Sequence, residues 1–184
     1  MHIDILRTFS SILNNYQSSW GSVLEIGPCN SSNESLLFLP ATINSPVRIG
    51  VDKAGPYKID DITVLKEDAK ALSFPNNTFD LVLCNSVLEH ESKFWQVISE
   101  MKRVLKPGGL LMIGIPAFSS SAKHKAGPYS TTVLMFHAYP NDYYRFSIEA
   151  VREVFLSDLN DINIIEVMTP PRIIGWGIKP LIVD

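Results

Sequence analysis

Between Gly21 and Asn30 the chain reads Gly-Ser-Val-Leu-Glu-Ile-Gly-Pro-Cys-Asn. A short apolar run bounded by turn residues reads as a buried strand. This one carries an acid, Glu25, near its end and then turns through Gly27. That pattern predicts the first strand-to-helix junction of a doubly wound α/β sheet, where ligands bind outside the carboxyl ends of the strands. Gly27 lacks a Cβ, so backbone can approach a ligand closely there. Related units recur along the chain. Val47–Asp52 is a second short strand that also ends in an acid. Phe79–Asn85 is apolar on both faces, as a central parallel strand is. Leu110–Ile115 is a further buried run, stopped by Pro116.

The connections fit this reading. Ile3, Ile5, Leu6, Phe9, Ile12 and Leu13 recur three and four apart, which predicts an amphipathic helix over 3–16. It would cover a sheet edge or part of the ligand site. Leu36, Leu37 and Leu39 suggest a helix over Ser31–Leu39, ended by Pro40. Residues 53–61 read as a Gly/Pro/Lys loop, and 62–65 as a short strand or turn. Phe94, Ile98, Met101 and Leu105 give the stripe of a helix over roughly 91–105, which Lys106-Pro107-Gly108-Gly109 stops. A long insert over 117–146 breaks the rhythm, and its aromatic second half argues for function. Ser147 caps a predicted helix carrying Ile148, Val151, Val154, Phe155 and Leu159. Residues 162–168 read as a strand, and the apolar tail 169–184 as a last edge strand or an incomplete one.

Strands alternating with crossovers mean a mostly parallel sheet. The 184 residues suit one such domain, with 1–20 as its N-terminal helix. A net charge of −3 argues against nucleic acid or an anionic membrane as the main partner. No apolar run approaches the roughly 20 residues of a membrane span, and no secretory signal is visible. Cys29 and Cys84 make no disulfide framework, and the four histidines have no metal-ligand spacing. A cytoplasmic protein with no bound metal is expected.

Several motifs, in order, resemble one family. Val23-Leu24-Glu25-Ile26-Gly27 is similar to the first motif of the class I S-adenosylmethionine-dependent methyltransferases, of the small methyltransferase domain 11-like kind. Gly50-Val51-Asp52 resembles the second strand of that family. Glu67-Asp68-Ala69, Leu72-Ser73-Phe74-Pro75 and Phe79-Asp80-Leu81-Val82 resemble its adenine segment. Asn85-Ser86-Val87-Leu88-Glu89-His90 is similar to the exit of its fourth strand, and Leu105-Lys106-Pro107-Gly108-Gly109 to the turn before its fifth. The likeness covers residues 20–116 best. It implies a Rossmann-like, seven-stranded-type sheet and S-adenosylmethionine as cofactor, leaving as S-adenosylhomocysteine.

The same resemblance supplies site residues. Asp52, with Lys53 beside it, would hold the ribose diol, since a carboxylate accepts charge-assisted hydrogen bonds. Asp68 and the backbone of Ala69 would meet the adenine. Glu25, Ile26, Gly27 and Pro28, with Asn85, Ser86 and Val87, would surround the methionine part. Each acid also has a plainer reading as a strand-end or turn residue facing water. Cys29 and Ser31 stand where the family usually has glycines, which leaves open a degenerate domain that keeps the fold and binds cofactor weakly or not at all.

Methyl transfer is a direct in-line displacement, so much of its rate comes from orientation in a dry pocket. A base is needed only for a weak or protonated nucleophile. Candidates for catalysis and acceptor binding are His90, His137, Asp142, Tyr143 and Arg145. His137 and His90 could take a proton, and Arg145 could clamp a carboxylate or phosphate. Alternatively, Tyr143, Tyr144 and Phe146 pack the insert down and Arg145 pairs with Asp142. The expected acceptor is a small molecule or glycan-like group. The Gly-x-Gly-x-x-Gly fingerprint of nicotinamide enzymes is absent after the first strand.

Overall fold

The computed structural model describes residues 1–16, 20–117, 119–120, 131–132, 141–168 and 171–181. Helix α1, Ile3–Asn14, buries Ile5, Leu6, Phe9, Ile12 and Leu13 along one face. His2 caps it, its Nδ1 accepting from the Asp4 N–H at 3.3 Å. Strand β1, Ser22–Ile26, is buried throughout. Then come β2, Val47–Asp52; β3, Tyr57–Ile59; β4, Ile62–Lys66; and β5, Phe79–Asn85. Helix α2, Phe94–Val104, leads directly into β6, Leu105–Pro116. Ser119–Ser120 and Thr131–Thr132 pair as β7 and β8. A short α3, Ile148–Ala150, continues as a π-turn over Val151–Phe155. The hairpin β9, Asn160–Met168, and β10, Pro171–Ile178, follows.

The described residues form one eight-stranded sheet in the order β3-β4-β2-β1-β5-β6-β10-β9. Its centre, β4-β2-β1-β5-β6, is parallel. Its flanks, β3 and the β10-β9 hairpin, run antiparallel. The chain winds outward from β1 to one side and returns through β5 to the other, so the switch point lies between β1 and β5. One face packs on α1 through Phe9, Val23, Leu36, Leu83, Met112 and Ile174. The other packs on α2 and α3 through Leu24, Ile26, Val82, Met101, Ile113 and Phe155.

Three expectations change. Ser31–Leu39 forms no continuous helix, only a turn closed on the Ser31 carbonyl and then a 3-10 turn, Leu36–Phe38. The Leu37 N–H is shared between the side chains of Glu25 and Ser35, and the Leu36 and Leu39 carbonyls accept from Thr42 Oγ1. Backbone groups occupied this way do not extend a helix. The 53–61 loop contains β3, which closes a tight hairpin with β4 through Asp60 at φ 49°. Finally, β10 is not an edge strand: it lies between β6 and β9. Ile173, Ile174 and Trp176 bury both of its faces, while β9 alternates exposed Asp161, Asn163 and Ile165 with half-buried neighbours and takes the edge.

Candidate active site

The carboxyl ends of β1, β2, β4 and β5 meet at one rim. Gly27 leaves β1 at φ 64° and donates to the Val51 carbonyl of β2 at 2.8 Å. A Cβ on Gly27 would lie 2.5 Å from Val87 Cγ2, so only glycine fits between the β1 and β5 tips. Glu67 N donates to the Asp52 carbonyl at 3.2 Å and ties β4 to β2. Ser86, at φ 59°, donates to Gly114 of β6 at 2.9 Å. Glycine, acid, acid and amide thus leave neighbouring strands on the same side of the sheet.

Asp52 is half-buried at the β2 tip. Its Oδ1 accepts from the Ala54 N–H at 2.8 Å, and the Tyr57 hydroxyl stands 3.2 Å from Oδ2 and 3.0 Å from the Pro28 carbonyl. Burial, followed by the charge of Asp52, pushes the Tyr57 phenol up, so it stays a donor. Glu25 turns the other way, into the α1 face. It is fully buried and accepts from Ser35 Oγ at 2.6 Å and Leu37 N at 3.2 Å. Burial raises its pKa to about 7 against the lowering by those donors. Asn85 is buried too; its Nδ2 donates to Ser86 Oγ at 3.2 Å, and its Oδ1 has no hydrogen-bond partner among the described residues.

A charged chain crosses the rim at the β4 tip. Glu91 Oε2 accepts from Lys53 Nζ at 2.5 Å and Lys70 Nζ at 2.9 Å, and Lys70 reaches Asp68 Oδ1 at 3.0 Å. Burial would raise the Asp68 and Glu91 carboxyls, but these lysines and nearby N–H donors hold both below the ordinary range. Lys70, Glu91 and Tyr57 escaped the sequence reading. The available signal was a lysine and a glutamate just beyond motif residues, indistinguishable from solvated charge until the fold joins their strands.

Beyond β5 lies the side expected to take the acceptor. His90 Nδ1 is 2.8 Å from the Asn141 carbonyl. A carbonyl only accepts, so Nδ1 carries the proton and Nε2 is the basic nitrogen of the neutral ring. Nε2 stands 3.8 Å from Glu89 Oε1, and Arg172 Nη1 stands 3.9 Å from the same oxygen. Asp142 and Arg145 form a two-pronged ion pair, and Arg145 also donates to the Tyr144 carbonyl at 2.8 Å. Tyr143 N donates to the Glu89 carbonyl at 2.8 Å, while its ring is exposed. Tyr144 and Phe146 pack on Phe94 at the start of α2, ring centroids 5.0 and 4.9 Å away. The structure therefore brings His90, Asp142, Tyr143 and Arg145 together. His137 lies outside the described residues. Arg172 was also missed; its signal was a single charge in an apolar strand.

Among the described residues no group of three His, Cys, Asp or Glu could hold a metal ion, and no helix is long and apolar enough to cross a membrane. Residues 44–113 match a family model described as a methyltransferase domain. The chain is 36% identical over 66 residues to a demethylmenaquinone methyltransferase of Lysinibacillus sphaericus, covering 36% of this chain and 27% of that protein. It is 40% identical over 75 residues to a ubiquinone/menaquinone biosynthesis C-methyltransferase of Hydrogenovibrio crunogenus, covering 40% and 30%. The chain thus spans under a third of the length of these curated relatives. In fold it is similar to the 1,6-didemethyltoxoflavin-N1-methyltransferase of Burkholderia thailandensis, solved with 1,6-didemethyltoxoflavin and S-adenosylhomocysteine. That likeness has a TM-score of 0.68 at 18% identity, over 95% of this chain and 78% of the other. Matched segment and sheet topology agree: residues 44–113 are similar to a methyltransferase domain, and the sheet shares the fold of a solved methyltransferase.

Proposed function

We propose that this chain, acting as a single domain over residues 1–184, binds S-adenosylmethionine at the rim and transfers its methyl group to a small-molecule acceptor. The observation that carries this reading is that Gly27, Asp52, Asp68 and Asn85 line one rim of the sheet, at the carboxyl ends of β1, β2, β4 and β5. The residues fit the cofactor: Gly27, packed too closely on Val87 for any Cβ, keeps bare backbone at the rim, and the buried Asn85 Oδ1 is an acceptor for an ammonium. When bound, the cofactor supplies a methyl group made electrophilic by its sulfonium. Asp52, beside Lys53, accepts from the ribose diol. Asp68 and the Ala69 backbone meet the adenine. Ile26, Gly27 and Pro28, with Asn85, Ser86 and Val87, wall the methionine part, and Glu25 holds that wall from below through Ser35 and Leu37.

His90 Nε2 serves as the base where the acceptor must lose a proton, its ring fixed by Asn141. Asp142 and Arg145 brace the end of the 117–146 insert, and exposed Tyr143 offers a ring to the acceptor. Relatives named for quinones and a neighbour solved with 1,6-didemethyltoxoflavin support a small ring compound over a glycan as acceptor. Two thiols outside any disulfide suit a cytoplasmic setting.

Calorimetric titration with S-adenosylhomocysteine tests the reading. Binding is expected, with Asp52→Ala weakening it by about 1–3 kcal/mol. Unchanged affinity in the variant would remove the diol assignment. No binding at millimolar ligand would leave the degenerate, scaffold reading instead.

A further inference from the structure

One side chain beside the acceptor has no place in the methyl-transfer reading. Arg172 is the second residue of β10, in register with Pro116 at the carboxyl end of β6. It reaches toward Glu89, just past the carboxyl end of β5, where open α/β sheets take their ligands. The residue is 9% exposed, yet Nε and Nη1 have no hydrogen-bond partner among the described residues. Glu89 Oε1, at 3.9 Å from Nη1, is within ion-pair range and beyond hydrogen-bond reach. The neighbouring Arg145 cannot accept, and Asp142 and the Tyr144 carbonyl already engage it. Burial works against the Arg172 cation, Glu89 supports it, and the charge of Arg145 opposes it.

Buried donors in a folded protein are almost always satisfied. The rest of the strand, Ile173, Ile174 and Trp176, is buried and apolar, so an apolar residue would pack at this position without that cost. A guanidinium held at the ligand edge with donors unspent is arranged for an acceptor that arrives from outside. One hydroxyl would satisfy one donor. An oxyanion offers several lone pairs and the opposite charge to one planar donor set.

Resting on the methyltransferase reading, we infer that Arg172 grips a carboxylate or phosphate carried by the methyl acceptor. Arg172 is a binding residue for the acceptor and takes no part in cofactor affinity.

The test uses the full chain loaded with S-adenosylhomocysteine and three probes at matched ionic strength: benzoate, inorganic phosphate and neutral benzamide. At least one anion is expected to bind about tenfold or more tightly than benzamide. Arg172→Gln is expected to lose that preference while keeping S-adenosylhomocysteine affinity. Equal binding of benzoate, phosphate and benzamide to the unmodified chain overturns the inference, whether or not the variant folds. So does an Arg172→Gln protein that keeps the preference. A chain that binds S-adenosylhomocysteine but neither anion also refutes it and leaves the methyltransferase reading standing. Failure to bind S-adenosylhomocysteine strikes that reading itself, and the anion comparison in the unloaded chain then decides the fate of Arg172 separately, with equal binding overturning the inference and an anion preference supporting it.

Discussion

Glu25→Gln isolates one buried titration. The Glu25 carboxyl is fully buried, and its pKa is raised from 4.5 to about 7 because burial outweighs the donors Ser35, Leu36 and Leu37. Its folded-state pKa lies above its unfolded value. The native protein therefore holds this proton more tightly than the unfolded chain does. The associated stability is fully present below the unfolded pKa and is lost as pH rises through about 7. A carboxyl displaced from 4.5 to about 7 corresponds to about 3 kcal/mol at about 1.4 kcal/mol per pH unit. Gln keeps an oxygen for Ser35 Oγ and Leu37 N and does not titrate. Urea unfolding of both proteins between about pH 4.5 and 8 gives a difference from which the shared titrations cancel. The stability of the variant relative to the parent is expected to rise by about 3 kcal/mol across that range. A flat difference would refute the reasoning, since it would mean that Glu25 titrates alike in both states.

Other substitutions probe the rim and its support. Gly27→Ala sets a Cβ 2.5 Å from Val87 Cγ2 at a positive φ, and should cost about 1–3 kcal/mol in urea unfolding as well as weakening S-adenosylhomocysteine in calorimetry. Glu91→Gln should cost about 1–3 kcal/mol at neutral pH, because it leaves Lys53 and Lys70 against an uncharged group. Glu91 is held below the ordinary carboxylate range, so its stabilising effect exists above the unfolded pKa and fades on acidification; the gap between variant and parent should shrink by pH 3. Phe155→Ala empties a fully buried site beside Phe146 and Phe94, and should cost about 3–5 kcal/mol by the same unfolding assay.

Where the sequence reading succeeded, the signal was local. The apolar runs at 23–26, 79–84 and 110–115 can be buried on both faces only inside a covered sheet, and the alternation with crossovers makes that sheet parallel. The Asp at the end of the second run and the Gly after the first are legible because strand ends are marked by composition. The helix foreseen at Ser31–Leu39 failed because Glu25, Ser35 and Thr42 claim its backbone groups, and those claims depend on distant parts of the chain meeting. The tail, legible as an edge strand or an incomplete one, forms an inner strand instead, because partner order is set by which strand can face water, and that strand is β9.

The sequence by itself determined the parallel α/β class and the order of the motifs, since each is carried by short-range pattern. Tertiary structure alone decided how the charges are spent. Asp68 and Glu91 share Lys70 while Glu91 also takes Lys53, Asp142 pairs with Arg145, and Glu25 faces the core instead of the rim. It also brought Arg172, more than eighty residues away in sequence, to within 3.9 Å of Glu89. Electrostatic partnership depends on separation in space, and periodicity along a chain carries no record of that.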